Sequence, residues 1–216
     1  MLVGRTRRSV LNGAGILAVG IATMAFLADR SALAEVMRVS PDRFVAGLSE
    51  RIMAVLADRS ASAEQRLRRV DALVIESFDL DRIARIALGR YWKTATGVEQ
   101  AEFATLFKAY VLTGYGRRFN EYADRRLRVA GAKPTREDVT VESYIEGGAT
   151  PIRLDWRLTA IDGGWRVLDI QVEGVSLLIT YRNDFATVIE RSGGRLSGLI
   201  DDLRGRVAAE RTQLAS

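Results

Sequence analysis

The sequence predicts an α+β fold, a curved antiparallel sheet with helices packed on one face, and three observations carry that prediction. Apolar residues recur at helical spacing from Phe44 to Tyr115, the period changes to two between Val139 and Val172, and it turns helical again from Leu177. Helices, then a meander, then helices is the layout of an α+β domain whose sheet bends around a cavity. The 216 residues, 48% of them hydrophobic and 27% charged with only 3 Pro, contain no linker or repeat and fit one domain.

Each element has its own local signal. Ser40-Pro41 supplies an N-cap with Pro at the first helical position, and Phe44, Val45, Leu48, Ile52, Val55 and Leu56 follow on one face. A second helix crosses Leu67, Val70, Leu73 and Val74. Asp79 caps a short third helix through Leu80, Ile83, Ala84, Ala87 and Leu88, which Gly89 stops. Thr96-Gly97-Val98-Glu99 is a capping box opening a longer helix with the stripe Phe103, Leu106, Phe107, Tyr110, Val111, Gly114 and Tyr115. Val139, Val141 and Ser143 then alternate with polar residues, as do Ile152, Leu154, Trp156 and Leu158. Asp162-Gly163-Gly164 signals a hairpin turn, and a strand returns from Trp165 to about Val172. Two further helices carry Leu177, Leu178, Tyr181, Phe185, Val188 and Ile189, then Leu196, Leu199, Ile200 and Leu203, with Gly193-Gly194 between them.

The N-terminus reads as an address. Thr6-Arg7-Arg8-Ser9-Val10-Leu11 precedes an apolar run from Gly13 to Ala28, and Ala32-Leu33-Ala34 supplies an A-x-A cleavage pattern. Residues 1–34 are therefore expected to be a signal peptide, and residues 35–216 the functional domain. The paired arginines resemble the twin-arginine export signal, although a basic leader of the general secretory route has the same look. The run is roughly 16 residues, short of the ~20 that a spanning helix needs.

Composition excludes whole classes of chemistry. The chain has no His and no Cys, so it has no Ser-His-Asp triad, no imidazole base, no His-ligated metal site, no thiol nucleophile and no thiolate ligand. The formal charge of +5 falls to +2 once residues 1–34 are removed, because 28 Lys and Arg then face 26 Asp and Glu. A domain so near neutrality lacks a phosphate-tracking stripe, and nucleic acid is not an expected partner.

One polar residue stands out. In unbroken alternation Asp169 shares a face with Trp165 and Val167, while Leu168, Ile170 and Val172 take the other. Either a bulge intervenes or a carboxylate points inward. An inward Asp169 is how a small-molecule isomerase or lyase would hold a general base. An ion pair, with Arg182 the candidate, is the favoured reading because isolated buried charge is costly. Arg153 and Arg157, on the polar face of their strand, read as solvated charges.

Five segments then carry a resemblance. Phe78-Asp79-Leu80-Asp81, Ala87-Leu88-Gly89-Arg90-Tyr91-Trp92, Gly163-Gly164-Trp165-Arg166-Val167-Leu168-Asp169, Glu173-Gly174-Val175-Ser176-Leu177 and Tyr181-Arg182-Asn183-Asp184-Phe185 resemble, in order and spacing, the MlaC-like family of periplasmic lipid-binding proteins. The resemblance implies a sheet related to the NTF2-like fold with added helices, enclosing phospholipid acyl chains and leaving the head group near the mouth. It implies a periplasmic carrier rather than an enzyme, with no metal or other cofactor. The implied partners are an inner-membrane ABC transporter complex and an outer-membrane lipoprotein-porin complex. A branch of the family associated with hopanoid synthesis keeps a hopanoid-associated lipid open as the cargo. The expected lipid-binding pocket lies between the Phe103 to Tyr115 helix and the strands. Its expected lining is Phe103, Phe107, Tyr110, Val111, Tyr115, Ile152, Leu154, Trp156, Trp165 and Val167.

Overall fold

A computed structural model describes residues 39–119, 125–161 and 163–215, without the side chains of 115–119 and 213–215. The expected signal peptide at 1–34, the turn residue Asp162 and the side chain of Tyr115 lie outside the described residues. Helices α1 (Pro41–Ala57), α2 (Ala63–Ser77), α3 (Leu80–Leu88), α4 (Arg90–Thr94) and α5 (Gly97–Phe119) come first. Strands β1 (Arg126–Pro134), β2 (Val139–Glu146), β3 (Ile152–Ile161), β4 (Gly164–Val172) and β5 (Val175–Ser176) follow, and α6 (Leu177–Arg191) and α7 (Leu196–Ala215) close the chain.

The helix starts show how directly side chains set the boundaries. Thr96 and Glu99 form the full capping box: the Glu99 N–H donates to Thr96 Oγ1 at 3.3 Å and the Thr96 N–H to Glu99 Oε2 at 2.9 Å. Ser62 and Gln65 form a second one at the head of α2, which the sequence reading did not single out. Asp79 receives the Arg82 N–H at 3.1 Å and so caps α3. Ser40 occupies the N-cap of α1, but its side chain makes no capping hydrogen bond, and that start rests on Pro41. Gly89 stops α3 at φ 58° and ψ −126°, a conformation that favours glycine, and α4 begins directly after it.

The sheet is an antiparallel meander in the order β1-β2-β3-β4-β5. Phe78 bridges to Val167, and the Asp79 N–H donates to the Val167 carbonyl at 3.1 Å, so the α2–α3 junction covers part of the β4 edge. Helix α1 packs on β1 and β2, while α3 and α6 pack on β4, and α7 packs along α5. This is the expected mixed architecture. Strand β1 is an addition: its short apolar content, Gly131 and terminal Pro134 hide an edge strand from a period-two reading.

The polar face of the sheet is cross-linked by charge. Arg153 bonds Asp155 at 3.0 Å and Glu142 at 3.1 Å, and Arg157 reaches Asp138 at 2.6 Å. These two arginines are thus committed to neighbouring carboxylates rather than simply solvated. The Tyr144 hydroxyl, donating at 2.9 Å, holds Glu142 below the usual carboxylate range, and Arg153 and Lys133 add to the effect.

Candidate functional site

A cavity of about 290 Å³ lies between the apolar face of the sheet and the helices, close to the lower end of ordinary ligand pockets. Register explains how the sheet builds one wall. Leu127 pairs with Ile145 and Ile145 with Ile152; Leu154 pairs with Val172, and Trp156 with Ile170. Directly paired residues share a face, so these side chains form continuous apolar rows that all line the cavity. The other wall comes from Ile52 and Met53 of α1, Val74 of α2, Leu80 and Ile83 of α3, Phe107 and Val111 of α5, and Leu177, Leu178 and Tyr181 of α6.

Exposure along β3 locates the mouth. Leu158 is 0% exposed, Trp156 7% and Leu154 8%, and Ile152 is only half-buried. The closed end is therefore the β3–β4 hairpin, where the Trp165 indole N–H donates to the Val39 carbonyl at 2.8 Å. The open end is the start of β3, where Met53, Ile145, Val172 and Leu177 are also half-buried. Exposed Val175 and Ile179 follow next to that rim.

Five of the residues expected from sequence line the cavity: Phe107, Val111, Ile152, Leu154 and Trp156. Phe103 and Tyr110 stand apart from it in an aromatic cluster that joins α5 to α6. Phe103 meets Phe185 edge-on at 5.7 Å, and Tyr110 meets Tyr181 at 5.9 Å. The stripe on α5 thus serves two neighbours, and a helical period alone does not divide it between them. Val167, paired with Leu158, and Trp165, paired with Ala160, lie beyond the closed end. The expected lining left out the contributions of α1, α2, α3 and α6, whose apolar faces look like ordinary core. Ser143 was also passed over; fully buried, its hydroxyl accepts the Trp156 indole N–H at 2.8 Å and orients that ring.

At Asp169 a bulge intervenes, and the buried carboxylate still borders the cavity. Arg157 pairs with Asp169 but Leu158 pairs with Val167, so Leu168 is an extra residue and the alternation changes phase there. The Asp169 carboxylate accepts the Ser176 hydroxyl at 2.6 Å and the Leu178 N–H at 3.0 Å. Both oxygens are engaged at the start of α6, where a negative charge also meets the helix dipole favourably. The expected pair with Arg182 is replaced by this cap; the Arg182 guanidinium lies instead against Gly89, where a Cβ would meet its Nε at 3.0 Å. Asp169→Ala is expected to lower the stability measured by urea unfolding by about 1–2 kcal/mol, the worth of a helix cap.

Chemically, the arrangement offers an apolar enclosure. Its walls are aliphatic and aromatic, and its carboxylate is tied to a helix end. Among the described residues no cluster of metal-ligating side chains is present.

The comparisons with known proteins point the same way. The chain is 30% identical over 135 residues to the toluene tolerance protein ttg2D of Pseudomonas putida, a match covering 60% of the chain and 62% of that relative. It is 21% identical over 179 residues to the intermembrane phospholipid transport system binding protein MlaC of Haemophilus influenzae, covering 78% of the chain and 82% of the relative. The chain thus spans less than two thirds of the first of these relatives. The phospholipid-binding protein of Ralstonia solanacearum, solved in complex with a phospholipid, superposes with a TM-score of 0.71 at 26% identity, covering 80% of this chain and 99% of that one. The family model described as MlaC protein matches residues 47–205, which contain every lining residue of the cavity, and the chain belongs to the MlaC family.

Proposed function

We propose that this protein carries a phospholipid through the periplasm with its acyl chains in the cavity and its head group at the rim. The observation that carries the reading is an apolar cavity open at one end, on a fold that in the Ralstonia solanacearum protein is solved with a phospholipid bound. An acyl chain of ~16 carbons avoids water by on the order of 12 kcal/mol, at ~0.8 kcal/mol per CH₂. Bilayer and cavity both meet that demand, so transfer between them sits near balance. Direction is then set by the partners, an inner-membrane ABC transporter complex and an outer-membrane lipoprotein-porin complex. The signal peptide expected at 1–34 from the sequence would export the protein to the compartment where both are reached.

The protein purified from the periplasm of a bacterial host and extracted with organic solvent is expected to yield close to one phospholipid per chain by mass spectrometry. Recovery of lipid in trace amounts only would overturn the reading. Recovery of a hopanoid in place of phospholipid would reassign the cargo.

A further inference from the structure

Ser49 is out of place in the cavity wall. It sits on α1, is only 8% exposed and lines the cavity beside Ile52 and Met53. A buried hydroxyl ordinarily finds a partner, and in a helix the carbonyl four residues earlier is at hand. Thr105, Thr113, Thr180, Thr187 and Thr212 all take that option, donating to the carbonyls of Ala101, Ala109, Ser176, Asn183 and Ala208 at 2.9 to 3.0 Å. Among the described residues Ser49 donates to none. Two other polar groups of the wall are engaged elsewhere: the Trp156 indole bonds Ser143, and Asp169 caps α6. A water molecule at Ser49 would need two to four polar partners, and the neighbouring wall is apolar.

Depth says what the hydroxyl meets. Helix α1 runs from the closed end, where Val39 accepts from Trp165, toward the half-buried Met53 at the rim. Ser49 is one helical turn deeper than Met53, about 6 Å at 1.5 Å per residue. In a phospholipid entering tails first, the groups just inside the rim are the ester carbonyls joining the chains to glycerol. They are acceptors without donors, and Ser49 is a donor without an acceptor.

We propose that the Ser49 hydroxyl donates a hydrogen bond to an acyl ester carbonyl of the bound lipid, fixing the depth of the chain and selecting ester-linked over ether-linked lipids. This assignment rests on the carrier reading above. The test uses exported protein stripped of lipid and titrated with dipalmitoyl phosphatidylglycerol and with its dihexadecyl ether analogue, which has the same head group and chain length but no carbonyl. Wild-type protein is expected to bind the ester about fivefold more tightly, the worth of one ordinary net hydrogen bond. In Ser49→Ala, a substitution that an α-helix accepts readily, the two lipids are expected to bind equally. An ester preference that persists in Ser49→Ala, or its absence from the wild type, would overturn the assignment while leaving the carrier intact. Failure of wild-type protein to bind either lipid would overturn the carrier, and the role of Ser49 with it.

Discussion

Leu154→Trp is expected to cut the lipid recovered per chain by about an order of magnitude while leaving the thermal midpoint of the lipid-free protein nearly unchanged or raised. Leu154 is 8% exposed and stands in the inner row between Ile152 and Trp156, lining the cavity. An indole there takes up volume that an acyl chain would fill. In a solid core the same change would overpack and destabilise by ~1–3 kcal/mol. The two outcomes therefore move in opposite directions. Val111→Trp, made from the opposite wall on α5, provides an independent version of the experiment. Loss of apo stability at both positions with lipid occupancy intact would sink the cavity as the lipid site.

Phe103→Ala is expected to do the reverse. Phe103 is 0% exposed, stacks on Phe107 at 5.9 Å and meets Phe185 at 5.7 Å, and it does not line the cavity. Truncating such a ring costs about 3–5 kcal/mol, because the cavity left behind adds to the lost transfer energy. Urea unfolding of the lipid-free variant measures the loss. The fraction that remains folded should keep its lipid. Lipid lost in proportion beyond the unfolded fraction would place Phe103 in the binding wall after all.

Most of the architecture was legible because its boundaries are written in local chemistry. Thr96 and Glu99 show a capping box in four residues, and Asp79 and Gly89 bracket α3. The alternation of Ile152, Leu154, Trp156 and Leu158 is clean because β3 is flanked by partners on both sides and has one apolar face. Strand β1 was not legible, since an edge strand with few large apolar residues has little to alternate. Nor could the phase change at Leu168 be placed from alternation alone, because the pairing that reveals it belongs to β3.

The site was harder to read, for a physical reason. A cavity wall and a packed core draw on the same residue types at the same spacing, and only the presence of a facing neighbour separates them. On α5 the ring of Phe103 meets Phe185, whereas Val111, two turns on, lines the cavity. Ser49 was invisible for the complementary reason. A lone serine on a helix face is ordinary until its hydroxyl is seen to pass up the bond to a preceding carbonyl that the helical threonines make.

The carboxylate of Asp169 has a consequence for timing as well as for stability. Leu177, Leu178 and Tyr181 make the first turn of α6 into part of the cavity wall, and Asp169 binds that turn to β4 through Ser176 and Leu178. A lipid that leaves by pushing this wall outward must break both bonds, so the latch belongs to the activation barrier of exchange. At about 1–2 kcal/mol it would lengthen the residence time of such a lipid roughly five- to thirtyfold. Equilibrium affinity is untouched by whatever part of that energy is regained when the latch closes behind the departing lipid. On the carrier reading proposed above, the helix cap acts as a timer on unloading.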